Sequence, residues 1–446
     1  MRLRRLAATV STLGLLVSIT GAGTGVAQES ADLSTLEGAK AYLVSQGYDP
    51  SEFVFQVGVN NYAGVTCPGL DWNCTAAALV VQITTPGGMN HAECGDGVRR
   101  CIIFQGGQLG GPTLLSAGDM NMHAHCGDPD ADEKKRMMLK ESGVLVCEIT
   151  QLNPTTGNNF AVVGMSIHDN DDAEQDGTED ATVTQTTNGD GDNHAVVHEE
   201  IVLSTRDEPA QMQDGFQYLD LTQETEAGDN FANVKQTQKL TAHARDDATT
   251  QKQNTLEVAD PCVGPLAAAN TCIRFEQTTE SGRNDLNVHQ DHNVKAVGAG
   301  GQQNQGCMTK ECTLEVDGSQ QLFGSTNSVD NHQSVTYTLR GPEGTTQIQD
   351  PRIANGPGSQ VGGSNDLWKV TQLATLRAND PDVQAHINQV DDFSTGTVDA
   401  RSVIVLNNER SEIECTGQSC FYVQACGTVE EENCAPSVVI PPGGID

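Results

Sequence analysis

One phrase recurs along this chain: a Gln, a gap of seven or eight residues, then an Asn followed four residues later by an apolar residue, almost always Val. The clearest copies place Gln151 with Asn159 and Val163, Gln185 with Asn193 and Val197, Gln223 with Asn230 and Val234, and Gln277 with Asn284 and Val288. Recurrence on this scale marks repeat architectures, in which each unit buries its apolar face only against its neighbours. Looser copies extend the series: Asn61 with Val65; Gln82 and Asn90 with Cys94; Asn121 with His125; Asn331 with Val335; and Gln372 and Asn379 with Val383.

Alternate side chains of a strand share a face. In the best copies Asn, Ala (Ala161, Ala195, Ala232), Val and in places Gln (Gln236, Gln290) fall at even offsets, giving one thin face of amides around small apolar residues. Stacked Asn and Gln side chains form hydrogen-bonded ladders between layers. The strand before the turn behaves likewise, since Cys147, Ile149 and Gln151 alternate, as do Cys101, Ile103 and Gln105. Turn-forming stretches such as 155–158 and 188–192 separate the two strands.

Aromatic residues make up only 4% of the chain. That is poor material for a thick globular core and suits a stack of thin layers. The expected fold is all-β: a β-solenoid, with tandem β-sandwiches as the structural competitor. From Asn159 onward the Asn anchors advance by 34, 37, 54, 47 and 48 residues, so the longer intervals predict a second, degenerate coil, with 236–244 as its extra strand. Before the repeats, Ser34 followed by Glu37, with Leu36, Ala39, Tyr42 and Leu43 on one face and Gly47 after them, reads as a capped amphipathic helix. Its expected place is over the first open edge of the array.

The chain opens Met1-Arg2-Leu3-Arg4-Arg5, continues with an apolar stretch to Ile19 and reaches Gly25-Val26-Ala27. This has the form of a secretory signal peptide cut after Ala27. Losing the leader's three arginines takes the formal charge from −35 to −38, which argues against nucleic acid and anionic membranes as partners. No later stretch is long and apolar enough for a transmembrane anchor, so a secreted, extracellular or surface-associated protein is expected.

In such a compartment the fourteen cysteines read as disulfides. Sequential neighbours give one proposal for their connectivity: Cys67 with Cys74, Cys94 with Cys101, Cys126 with Cys147, Cys262 with Cys272, Cys307 with Cys312, Cys415 with Cys420, and Cys426 with Cys434. The expected organisation is a leader (1–27), an N-terminal helix and cap (28–55), Cys-rich β repeats (56–147), a Gln/Asn repeat region (148–400) and a Cys-rich C-terminal cap and tail (401–446).

The segment Tyr218 to Gln236, with Asn230-x-Ala232 and a closing Gln236, resembles the curlin repeat of bacterial curli amyloid; Phe275 to Gln290 is similar, with Leu286 in place of Ala. The resemblance implies an extracellular, matrix-like or adhesive β-solenoid capable of self-association. The repeats here are longer and uneven, and the chain is denser in acids and cysteines than curlins are. Like charge and short staples are devices that keep β edges apart.

Few residues suggest chemistry. Acidic loops containing Asp169 and Asp171, or Asp190 and Asp192, offer oxygen ligands for weak calcium binding, yet none completes an EF-hand loop, and solvated turns are the ordinary reading. His123 and His125, two apart, would share a strand face and form the one compact transition-metal candidate. No nucleophile elbow, zinc-protease helix or phosphate loop occurs, and no other cofactor is expected. The leading expectation is a non-catalytic structural or adhesive element whose partners are copies of itself or cell-surface and matrix components. The alternative is a glycan-binding or glycan-cleaving β-helix.

Overall fold

The computed structural model describes residues 35–440 apart from 66–76, 96–97, 109–118, 128–136, 171–172, 209, 245–249, 254–270, 299–301, 306–312, 323–325, 342–345, 350–351, 362–365, 379–381, 393–396, 407–408, 418 and 428–435. The leader and the closing tail therefore lie outside the described residues. One helix, α1 (Leu36–Ser45), is followed by β1 (Val54–Val65), β2 (Ala77–Cys94), β3 (Arg100–Gly107), β4 (Asn121–Cys126), β5 (Met137–Leu139), β6 (Gly143–Asn153), β7 (Asn159–Asp169) and β8 (Glu174–Thr187). Next come β9 (Asn193–Arg206), β10 (Ala210–Thr225), β11 (Asn230–His243), β12 (Thr250–Gln253), β13 (Thr271–Thr279), β14 (Arg283–Val297), β15 (Gln302–Gln305), β16 (Thr313–Leu322) and β17 (Thr326–Arg340). The chain ends with β18 (Thr346–Gln349), β19 (Arg352–Val361), β20 (Leu367–Arg377), β21 (Asp382–Asp392), β22 (Thr397–Leu406), β23 (Glu409–Gly417), β24 (Ser419–Gly427) and β25 (Pro436–Ile440).

These strands form a parallel β-solenoid. Each coil contributes a strand before the Gln-to-Asn arc and a strand after it, and each strand pairs in parallel with its counterpart in the next coil. The leading sheet runs β1, β2, β3, β6, β8, β10, β13, β16, β19 and β21. The trailing sheet runs β1, β2, β4, β7, β9, β11, β14, β17, β20 and β22. A third, narrow strip joins the start of β10 to β12, β15, β18 and β21. Sandwiches would pair their strands mainly antiparallel within each unit. Parallel pairing from coil to coil makes this one stack.

Alternation makes the strands. In β9 every other residue from Asn193 to Thr205 is buried. The inward positions supply a core of Ala, Val, Ile and Leu that runs from Ala78 to Ile413. Parallel strands a coil apart lie about 4.8 Å from each other, so identical residues stack in register.

The uneven repeat does not hide extra coils. Asn230 bonds Asn284 directly although they are 54 residues apart, just as Asn193 bonds Asn230 across 37. The additional chain enters between Gln253 and Thr271 and between His243 and Thr250, at the ends of strands that stay in register with β10. Residues 236–243, expected to form a separate strand, are the continuation of β11.

The helix corrects a second expectation. Thr35 is its N-cap, its side chain accepting the Gly38 N–H at 3.0 Å, and the helix does not cover the open end. Its Ala39 and Leu43 pack with Phe53 on the outward residues of β2 and β3: Leu79, Val81, Ile83, Ile102 and Phe104. The helix therefore roofs the flank of the first coils. At the other end the parallel pattern stops, because β23 pairs antiparallel with β22 and β24 pairs antiparallel with β21 and β25.

Candidate functional site: amide ladders and the faces of the stack

Inside the leading sheet nine glutamines stack: Gln56, Gln82, Gln105, Gln151, Gln185, Gln223, Gln277, Gln320 and Gln360. Each after Gln56 donates an Nε2 hydrogen to the Oε1 of the Gln before it, at 2.7–2.8 Å. The same nitrogen also donates across the arc of its own coil, to the carbonyl after the repeat's Asn; Gln185 reaches His194 O at 3.1 Å and Gln223 reaches Phe231 O at 3.0 Å. One side chain thus ties two coils together and closes one arc.

The Asn ladder has the opposite polarity. Asn159, Asn193, Asn230 and Asn284 each donate Nδ2 forward, to Asn193, Asn230, Asn284 and Asn327 respectively, at 2.8–2.9 Å. The second hydrogen goes to the carbonyl after the next coil's Gln: Thr186, Glu224, Thr278 and Gln321. At the start of the stack Asn61 donates to Asn90 at 2.8 Å. The column is interrupted at Met122, which stands opposite both Asn90 and Asn159, so Asn121 lies one residue out of register.

The structure brings together Gln151, Gln185, Gln223 and Gln277, the four matching Asn residues, and Val163, Val197, Val234 and Val288, each in register with the next. Three expected rungs fall elsewhere. Asn331 stands opposite Val288 and Val335 opposite His292, because Asn327 occupies the ladder. Gln372 belongs to a different column, donating to Gln333 at 3.1 Å. Asn379 lies outside the described residues, and Val383 stands in β21 opposite Gln349.

Further ladders have signals in the sequence that the repeat phrase passes over. The column Glu199, Gln236, Gln290, Gln333, Gln372 and Ser402 follows the Val slot by two residues. The narrow strip carries two more columns, Gln175–Gln213–Gln253–Gln305 and Gln211–Gln251–Gln303. Their sequence mark is a Gln-x-Gln pair at Gln211, Gln251 and Gln303.

Two ladders begin on a carboxyl. Gln236 donates to Glu199 Oε2 at 2.6 Å and Gln217 donates to Glu179 Oε2 at 2.9 Å; both glutamates are fully buried, and the second oxygen of each has no hydrogen-bond partner among the described residues. Burial pushes the Glu179 carboxyl up to about 8. Burial, and then the charge of Glu179, also raises Glu199 well above the usual carboxylate range. A neutral carboxyl accepts the amide without the cost of a buried anion.

The arcs have their own pattern. A Cβ on Gly191 would lie 2.0 Å from Gly157 O, and one on Gly228 would lie 1.9 Å from Gly191 O, so only glycine lets successive arcs approach this closely. Between Gly and Asn sits a residue whose side chain accepts the next coil's N–H: Asn158 from Asp192, Asp192 from Asp229, and Asp229 from Arg283, at 2.9–3.0 Å.

Asp192, expected as a calcium ligand, is thus part of the arc column, while Asp190 is exposed on the same turn. Asp169 is buried and accepts from Ser142 N and Oγ at 2.9 and 2.6 Å. Asp171 lies outside the described residues. Among the described residues no group of three His, Cys, Asp or Glu is arranged to hold a metal ion. His123 instead joins an outward column in register with Tyr62, His91, Phe160, His194 and Phe231, while His125, in register with Glu93 and Val162, sets its ring 5.5 Å from His91 and 5.9 Å from Phe160. Tyr62 and His91 stack at 5.0 Å, whereas Phe160, His194 and Phe231 meet edge to face at 5.0 and 4.7 Å. His125 does not fill the Val slot; Cys126 does.

The disulfides Cys94–Cys101 and Cys126–Cys147 are formed, each joining the two sheets in the core, and Cys272 and Cys415 are also disulfide-bonded. Cys420 and Cys426 lie in β24, while Cys67, Cys74, Cys262, Cys307, Cys312 and Cys434 fall outside the described residues. Compared with protein-family models, with curated sequences and with solved structures, the chain matches none.

Proposed function

We propose that this protein is an exported, non-catalytic β-solenoid that works outside the cell as a structural or adhesive element. The observation that carries the reading is the commitment of its amides to ladders running through the stack, which makes a long, stiff body. A hydrolase or lyase needs carboxyls that reach its substrate. The pair at the ladder starts, Glu179 and Glu199, is sealed in the core. The leader-like start, the acidity and the curlin-like segment Tyr218 to Gln236 favour the same role.

Expression with the native start tests it. The expected outcome is a mature N-terminus at Gln28 in the medium or on the cell surface, and retention of labelled protein on extracellular matrix of the producing cells. An intact leader inside the cell would overturn the reading.

A second reading, glycan binding, is favoured by the outward column of Tyr62, His91, His123, Phe160, His194 and Phe231. Tyr62 and His91 stack face to face while Phe160, His194 and Phe231 alternate edge to face, so a sugar chain would meet both ring edges and ring faces along the column. A glycan array separates the readings: selective retention that is lost in His194→Ala and Phe231→Ala supports binding, and a blank array rejects it.

A further inference from the structure

The two ends of the stack differ in a way that identifies a partner. At the C-terminal end the trailing sheet finishes on β23, antiparallel to the coil beneath it and carrying Glu409, Arg410, Glu412 and Glu414. Edge charges are a device that stops further strands from adding, and the reversed strand breaks the parallel register that a further coil would continue. At the N-terminal end β1 pairs only with β2 among the described residues. Its twelve residues, Val54 to Val65, contain no charge and no proline. Val54, Val57, Val59 and Tyr62 are 50–65% exposed, half of the large apolar side chains exposed among the described residues.

Ladder polarity adds a second observation. The Gln column donates toward the N-terminal end, so Gln56, having given one Nε2 hydrogen to Tyr62 O, keeps one for a rung that this chain does not supply. The Asn column donates away from that end, so Asn61, whose Nδ2 bonds Asn90, presents an unused Oδ1 to the same missing rung. A spare donor and a spare acceptor therefore sit side by side on one uncharged edge.

We propose that the partner is a second copy of this chain, joined head to head about a two-fold axis through the β1 arc. Such an axis lays the strand before the arc over the strand after it, antiparallel. It sets Gln56 opposite Asn61 of the second copy, and Asn61 opposite that copy's Gln56, so each spare donor meets a spare acceptor. The same register sets Val54 opposite Ala63 and Phe55 opposite Tyr62, matching inward residues with inward and outward with outward. An interface of this kind is isologous and closes on itself. With the charged β23 ending the trailing sheet and the short, proline-led β25 ending the leading one, the assembly stops at two chains and does not grow into a fibre. The inference rests on the edge alone and holds wherever the protein resides.

Sedimentation equilibrium of the purified mature chain over a range of concentrations tests it. The expected mass is twice that of one chain, with the dimer favoured by added salt because two acidic bodies are brought together. Val57→Lys places an ammonium on the edge and is expected to give a monomer with an unchanged circular dichroism spectrum. Val59 lies beside the proposed axis, so Val59→Cys is expected to form a disulfide-linked dimer in the otherwise native protein, whereas Thr416→Cys on β23 is not. Three results would overturn the proposal: a monomer at all concentrations with no cross-linking through Val59→Cys, growth beyond two chains, or dimerisation that appears only after residues 28–34 are removed. The last would show that this chain covers its own edge.

Discussion

Gln185 donates its side-chain amide to Gln151 at 2.8 Å, while in the same coils Asn159 donates to Asn193 at 2.9 Å in the opposite direction along the axis. Two antiparallel chains of amide dipoles therefore run side by side through the core. Each coil is held to both neighbours by a donor and an acceptor.

Breaking a middle rung should be costly. In Gln185→Leu the Oε1 of Gln151, the Nε2 of Gln223 and the carbonyl of His194 each lose a buried partner. At about 1–3 kcal/mol for each unsatisfied buried group, a loss of roughly 3 kcal/mol or more is expected from urea unfolding. The double variant Gln151→Leu with Gln185→Leu should cost less than the sum of the single ones, since they share a bond.

The arcs set a sharper steric limit. Gly228→Ala would drive a methyl to 1.9 Å from Gly191 O, against backbone with no side chain to yield. We expect the melting temperature to fall by well over ten degrees or the chain to fail to accumulate, corresponding to about 4 kcal/mol or more. Gly64→Ala, whose methyl would meet only the Tyr62 ring at 3.6 Å, should be close to neutral.

Stability should depend on pH through the ladder starts. Glu179 and Glu199 are held neutral in the fold but ionise in the unfolded chain above the ordinary value of 4.5. Their contribution is therefore complete below that value and is lost as pH rises through about 8, the folded value for Glu179. His292 works in the opposite sense: burial takes its folded pKa down to about 3, so its contribution is present above 6.5 and is lost as pH falls. Glu199→Gln should raise the urea midpoint at pH 8 and change it little at pH 5, because the amide continues the ladder from Gln236 without a buried anion.

The stack and its facing columns were legible because parallel in-register strands repeat their inward residues, and Gln185, Asn193 and Val197 recur in order. The last rungs were not legible from the Asn-to-Val spacing alone. Asn327 and Asn331 both precede a Val by a short even step, and what separates them is the Gln seven residues before the ladder Asn, Gln320, and the Gln six residues after it. Gln236 follows Asn230 by six, Gln290 follows Asn284 by six, and Gln333 follows Asn327 by six. The Gln-x-Gln columns escaped because two of their strands, β12 and β15, are four residues long, too short for a periodicity. The pairing of Glu179 with Glu199 depends on which residues face each other across a coil, and spacing along one strand carries no such information.

The disulfides give the last test. Cys94–Cys101 closes a separation of 7 residues and Cys126–Cys147 one of 21, and both fasten the two sheets near the end where helix α1 roofs the flank and the Asn column is broken at Met122. The longer loop should contribute the more, on the order of 3 kcal/mol in the chain-entropy account. Replacing Cys126 and Cys147 together by Ser is expected to open the N-terminal coils to protease while leaving the Gln and Asn ladders from β8 to β17 protected. Hydrogen exchange followed coil by coil checks this. Uniform loss of protection along the stack would mean instead that the coils unfold as a single unit, with the ladders carrying the damage from one end to the other.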